Sequence, residues 1–128
     1  MLDLRAIVDD YLQRCFAAEE RPRVTELAVL LDVSREHVSR QFAAIYGNSL
    51  SGYLKQAQLA YAKQLLVASS LSTCRIAYMA GYGTRRNFHR VFRVSTGTSP
   101  DVFRRSRNVS SQNDEASAPY PQSSRVPQ

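Results

Sequence analysis

One pattern occurs twice in this chain, and it constrains the fold more than any other feature. Leu27 to Phe42 reads LAVLLDVSREHVSRQF, and Ile76 to Phe92 reads IAYMAGYGTRRNFHRVF. Leu27 and Ala28 pair with Ile76 and Ala77. Further on, Val38 pairs with Phe88, Arg40 with Arg90, Phe42 with Phe92, Gly47 with Gly97 and Ser49 with Ser99. The offset grows by one residue in between, so the second turn, GYG, is one residue longer than the first. Each copy reads as a short helix, a tight turn and a second helix, which is the outline of a helix-turn-helix. One such outline fits many helical hairpins. Two with the same internal pattern are a far more specific signal.

The second helix of each copy separates its charge from its apolar residues at about 100° per residue. In the later copy Arg85, Arg86, His89, Arg90 and Arg93 share one arc, and Phe88, Val91 and Phe92 share the opposite one. In the earlier copy the outward arc holds Arg35, Glu36, Ser39, Arg40 and Ala43, and the inward arc holds Val38, Phe42 and Ile45. The apolar arc anchors each helix, which leaves the polar arc free to enter a groove.

The remaining segments fit around these copies. Leu4, Val8, Tyr11, Leu12 and Cys15 have helical spacing, so the chain from Leu2 to Ala18 reads as a helix, with Pro22 ending the segment. Ser34 and Thr84 are placed to cap the second helix of each copy, and Gly47 and Gly97 to end them. Between the copies Tyr53, Leu54, Ala57, Tyr61, Leu65 and Leu66 form an apolar stripe. A helix over 51–69 would be roughly 28 Å long at about 1.5 Å per residue. Pro100 opens a short last helix that ends near Arg107. The expectation is an all-α domain over 1–107 of about seven helices. It comprises a first helix-turn-helix at about 24–47, a linking helix at about 51–69 and a second helix-turn-helix at about 73–97. Residues 108–128 are rich in Ser, Pro, Gln and Asn with little to bury, and read as a disordered tail.

Charge points to the partner. The formal net charge is +6. Between Arg75 and Arg107 there are eight arginines and a single acid, Asp101. A basic half beside a more neutral one fits a polyanion, and the fork of arginine suits phosphate and guanine. Other classes find no support. The apolar runs are too short to cross a membrane. Cys15 and Cys74 are far apart with no CxxC neighbour and read as reduced thiols of a cytoplasmic protein. His37 and His89 are the only histidines, which leaves no plausible metal set. No Ser/His/Asp set or paired carboxylates stand out, so the chain does not read as an enzyme, and no cofactor is expected.

With these residues in hand, the chain resembles the AraC/XylS family of bacterial transcription regulators over residues 1–107. The second copy carries the family pattern in Ile76, Ala77, Gly81, Tyr82, Phe88, Arg90, Phe92, Gly97, Ser99, Pro100, Phe103 and Arg104. The first copy and the linking helix add Leu27, Ala28, Ser34, Arg35, Val38, Arg40, Phe42, Gly47, Tyr53, Leu54, Leu59, Ala62, Leu65 and Leu66. The resemblance implies two recognition helices in adjacent major grooves of promoter DNA. A linking helix of about 28 Å is of the scale that separates successive major grooves, about 34 Å.

Base reading is implied at Glu36, Ser39 and Arg40 in the first copy, and at Arg85, Arg86, His89 and Arg90 in the second. Arg35 and Thr84 join them as DNA-facing residues. The family also implies an activator that touches RNA polymerase. The family usually carries an arginine where this chain has Gln58. Glu36 is unusual on a DNA face, where it either accepts from cytosine N4 or keeps phosphate away. No effector-sensing domain is legible, which matches the small stand-alone members. Readings that remain open are the DNA-binding half of a longer effector-sensing regulator, a non-specific nucleic-acid-binding basic module, and an adaptor built on helical hairpins.

Overall fold

The computed structural model describes residues 3–107, and the expected tail over 108–128 lies outside them. Seven helices and no strand are found among the described residues. They are α1 Leu4–Ala18, α2 Val24–Leu30, α3 Arg35–Tyr46, α4 Leu50–Ala68, α5 Thr73–Met79, α6 Arg85–Thr96 and α7 over 100–107. The boundaries follow from local chemistry. The side chains of Asp3, Ser34, Ser49, Ser72 and Thr84 each accept a hydrogen bond from a backbone N–H in the first turn of the helix that follows. Each cap satisfies a donor that the helix itself leaves unpaired. Ser99 caps α7 in the same way through the amide of Val102.

The first helix starts two residues later than its apolar spacing suggests and ends at Ala18 as expected. It starts at Leu4 because the Asp3 carboxylate accepts from the Arg5 amide at 3.1 Å. It ends at Ala18 because Glu19 turns left-handed, with φ 59°, so the stop precedes Pro22.

Two apolar cores divide the domain. One joins α1, through Val8, Tyr11, Leu12, Cys15 and Phe16, to Leu27, Ala28, Val38 and Phe42. The other gathers Ile76, Ala77, Ala80, Tyr82, Phe88 and Phe92. Helix α4 serves both, with Leu50 and Leu54 in the first core and Ala62 and Leu66 in the second. Its buried residues fall every fourth position, at Leu50, Leu54, Gln58, Ala62 and Leu66. A four-residue step overshoots a full turn by about 40°, so the buried line winds roughly 160° around α4 from one end to the other. The helix can therefore present one side to each core. Tyr61 lies at the change-over: it packs against both cores and stacks on Phe16 at 4.3 Å.

Two details differ from the helical wheel. Ile45 is 57% exposed instead of buried. Tyr46 closes α3 against the body in its place. Its hydroxyl accepts from the Arg5 amide at 2.9 Å and donates to Asp3 at 2.8 Å. Gln58 is buried on the inner line of α4, and its amide donates to the Ala80 carbonyl at 2.9 Å. A polar side chain is tolerated there because it satisfies a carbonyl at the end of α5.

Candidate nucleic-acid interface

Helix α3 is held from below by Val38 and Phe42, both 1% exposed, and is started by Ser34, whose hydroxyl accepts from the His37 amide at 3.0 Å. Arg35, Glu36 and Arg40 are exposed, together with Ala43 and Ala44, while Ser39 is half-buried. Helix α6 is built the same way on Phe88 and Phe92, both fully buried. Its cap is Thr84, whose hydroxyl accepts from the Asn87 amide at 3.0 Å. Asn87 in turn donates to the Tyr82 carbonyl at 3.0 Å and accepts from the Arg90 guanidinium at 2.5 Å. Arg90 is thereby steered by a side chain that is itself fixed to the turn. Arg86 and Arg90 stand exposed on the outer face.

The expected residues of α6 do not all share that face. The Arg85 Nε donates to the Thr73 hydroxyl at 3.1 Å, and its guanidinium lies 3.5 Å from the Asp101 carboxylate. Arg85 is thus drawn toward α5 and α7 while staying partly open to solvent. His89 is half-buried, and its Nε2 is buried with no partner among the described residues. Burial and, after it, the neighbouring Arg85 charge hold its pKa below the usual histidine value, so the ring is neutral at neutral pH.

Two α6 residues outside the expected set complete its outer face. Arg93 is exposed, and Val94 is 82% exposed. The wheel already held Arg93 on the outward arc. Val94 is apolar and therefore easily assigned to the core, yet its angle falls between those of Arg90 and Asn87.

The two helices border one cleft of about 720 Å³. Arg35, in the first turn of α3, stands on one side, and Asn87, Arg90 and Ser95 of α6 on the other. Lys55 and Gln58 of α4 and Arg21 and Arg23 of the α1–α2 loop also line it, and no acidic side chain does. These three further cations were not legible as a set, because they come from segments that only the fold brings together.

Direct contacts fix the two helix-turn-helix units relative to each other. The backbone of Gly81 lies so close to the α1–α2 loop that a Cβ there would meet the Arg21 Cα at 2.7 Å. Arg75 pairs with Glu19 at 3.0 Å, and the Gln58 bond to Ala80 ties α4 to the second turn. Among the described residues, no helix is long and apolar enough to cross a membrane.

Comparison with known proteins gives a consistent outcome. A helix-turn-helix domain family matches residues 27–106. The uncharacterized HTH-type transcriptional regulator YfiF of Bacillus subtilis is 35% identical over 82 residues, which cover 64% of this chain and 26% of that protein. The chain spans about a quarter of the length of the curated relatives it matches. Among solved structures, an AraC-type DNA-binding domain-containing regulator from Chromobacterium violaceum superposes with a TM-score of 0.65 at 25% identity, covering 80% of this chain and 93% of that one. The DNA-binding domain of AdpA, solved in complex with a target DNA, shares the fold with a TM-score of 0.72 at 24% identity, covering 83% and 93%.

Proposed function

The chain belongs to the AraC-type helix-turn-helix family, a family of DNA-binding transcription regulators and not of enzymes, and on that premise we propose that it reads a specific duplex site by inserting α3 and α6 into adjacent major grooves. The observation that carries this reading is that the two helices meet at one cleft and are built alike. Both border a single cation-lined cleft, and each turns a polar face to solvent while Val38 and Phe42 anchor the back of α3 and Phe88 and Phe92 that of α6.

Each side chain then has a role. Arg90, steered by Asn87, is suited to a bidentate contact with guanine O6 and N7, and Arg40 is its equivalent in the first unit. Arg86 and Arg93 flank Arg90 and reach base edges or phosphates. Val94 is suited to a thymine methyl. Glu36 accepts from cytosine N4 or keeps phosphate off that part of α3. Arg35 and Arg85 stand at the helix starts, where they reach phosphate, and Ser39 and His89 reach the DNA only from the rim of their helices. Thr84, like Ser34, serves as a cap, and the helix N-terminus it caps offers backbone N–H groups to phosphate. Such a protein works in the bacterial cytoplasm, beside promoter DNA and RNA polymerase, and the family resemblance points to activation.

The test begins with selection of bound sequences from random duplex DNA. Arg90→Ala should weaken binding to the selected site by about 1–3 kcal/mol and relax the base choice at one position. Arg40→Ala should do so at a different position, in the other half-site. Unchanged binding by Arg90→Ala would sink its assignment. Equal displacement of the protein by selected and unrelated duplex would make it a non-specific basic module instead. In a reconstituted transcription assay the expected outcome is more transcript from a promoter bearing the site.

A further inference from the structure

The two recognition helices differ in how their equivalent arginines, Arg40 and Arg90, are held. In α6 the Asn87 side chain is bonded at both ends. Its Nδ2 donates to the Tyr82 carbonyl at 3.0 Å, and its Oδ1 accepts from the Arg90 Nη2 at 2.5 Å. Its backbone amide donates to the Thr84 hydroxyl, so main chain and side chain are both fixed at the start of the helix. These bonds allow one orientation of the side-chain amide, because a reversed group would set its oxygen against a carbonyl and its NH2 against a guanidinium. In α3 the equivalent residue is His37. It is exposed, whereas Asn87 is half-buried, and its side chain makes no hydrogen bond among the described residues. The Arg40 guanidinium is exposed and has no ion pair or hydrogen bond among them.

The difference begins in the turn. In the first unit Val33 directly precedes the cap Ser34. In the second, Gly83 is inserted between Tyr82 and the cap Thr84, at φ 85°. The φ of a residue sets how the peptide plane before it faces the chain that follows, so the left-handed Gly83 aims the Tyr82 carbonyl relative to α6. A Cβ at Gly83 would meet nothing within 4 Å, so the backbone angle and not the space calls for glycine. The one residue by which the two copies differ in length thereby sets the anchor of Asn87.

Such a tether acts on the choice of base more than on affinity. A free arginine that meets the wrong base can swing to a phosphate and recover much of the lost contact. A tethered arginine has given up part of its rotamer freedom before DNA arrives. It cannot retreat without breaking its bond to Asn87, and closing off the alternative contact is what separates right from wrong partners. Asn87 occupies one guanidinium N–H and leaves a pair free for guanine O6 and N7. We propose that Asn87 is a positioning residue that determines specificity through Arg90, and that the base pair read by Arg90 is discriminated more sharply than the pair read by Arg40. The inference rests on the base-reading role of the two arginines and adds the reason why they read with unequal strictness.

Binding of the full chain to the selected duplex, and to duplexes altered at single base pairs, tests it. Arg90→Ala and Arg40→Ala mark, by the position each relaxes, the pair that each arginine reads. In wild type the preference for the selected base should be about fivefold to tenfold greater at the Arg90 pair than at the Arg40 pair, the worth of one partly exposed charged hydrogen bond. Asn87→Ala should remove that excess and leave the preference at the Arg40 pair alone. On the selected duplex the plot of log affinity against log salt should keep its wild-type slope, since no charge is lost. On duplexes altered at the Arg90 pair the slope should steepen by about 0.9, as the freed arginine gains one phosphate contact. A merely structural role of Asn87 would weaken binding to every duplex alike and leave the slopes unchanged.

The wild-type comparison of the two pairs decides the matter even if Asn87→Ala folds poorly. Equal preference at both pairs in wild type overturns the inference and leaves α6 as a reading helix. So does an Asn87→Ala variant that keeps the wild-type preference at the Arg90 pair. If Arg90→Ala relaxes no base pair, base reading by Arg90 itself fails, and the inference with it.

Discussion

Arg35 and Arg85 occupy equivalent places at the starts of α3 and α6, yet they live in different surroundings. Arg85 is held by Thr73 and faces Asp101 at the start of α7. The residue of α4 equivalent to Asp101 is Ser51, and Arg35, at the edge of the cleft, has no ion pair among the described residues. The likeness of the two units is otherwise close, and it reaches beyond the helix-turn-helix into the helix that follows. Phe42 packs on Tyr53 at 5.3 Å in the first unit, and Phe92 on Phe103 at 5.4 Å in the second. Leu50 and Pro100 are buried at matching positions. A repeated backbone therefore repeats its packing without repeating its electrostatics. Packing depends on the apolar periodicity that both copies share, whereas each charge depends on one neighbour that they do not.

The turns teach the same lesson. Both units need a left-handed residue after the first helix, and they fill it with Asp32 at φ 58° and Gly81 at φ 87°. Asp32 is tolerated because aspartate can adopt this region at modest cost. Gly81 is required, since only it also leaves room for the Arg21 backbone. The extra residue of the second turn is Gly83, which follows Tyr82 at φ 85°. It follows that Tyr82 can be 8% exposed while its counterpart Val33 is 36% exposed.

The largest expected effect tests whether the units share one stability. Phe42→Ala and Phe92→Ala should each cost about 3–5 kcal/mol, because both rings are fully buried. Helix α4 contributes to both cores, so calorimetry should show one transition displaced in either variant. Two separate transitions would show that the units fold independently.

A smaller effect separates the turns. Gly81→Ala should cost about 1–2 kcal/mol for the left-handed backbone, plus the clash with Arg21. Asp32→Gly should be neutral or gain up to about 1 kcal/mol. Denaturant unfolding of the two variants measures both. Equal losses would mean that the close approach at Gly81 does not distinguish the second turn.

The smallest effect is a pH dependence confined to the second unit. The folded pKa of His89 lies below its ordinary value of 6.5, chiefly through burial. As pH falls through 6.5 toward that lower value, the unfolded chain takes up the proton first, and stability declines. His89→Ser, which copies Ser39 of the first unit, should flatten this stretch of the stability profile. An unchanged profile would show that His89 titrates freely.

Much of the fold was legible residue by residue. Ser34 and Thr84 cap where the sequence places them, and Gly47 and Gly97 end α3 and α6 in left-handed geometry. The anchoring of α6 by Phe88 and Phe92 also follows from spacing alone. Less legible were the neighbours. A helical wheel measures angle about one axis, so it put Ile45 inside and let Arg85 and His89 share a face with Arg90. Whether a side chain at the edge of that arc is free depends on what packs beside it. For α6 that neighbour is α7 with Asp101, and for α3 it is α1 with Asp3 meeting Tyr46. Gln58 looked like the loss of a charged contact, and its role in binding the Ala80 carbonyl appears only once α4 lies against the second turn.

The amino-acid sequence by itself determined the helices, their ends, the repeat and the family, because these are set by local spacing, capping side chains and apolar periodicity. Tertiary structure alone decided which arginines stay open, which polar side chains are buried, and that cations from four distant segments line one cleft. The physical reason is range: caps and periodicity act within one or two helical turns, whereas the partners of a charge are chosen by elements that meet only when the two cores close on α4.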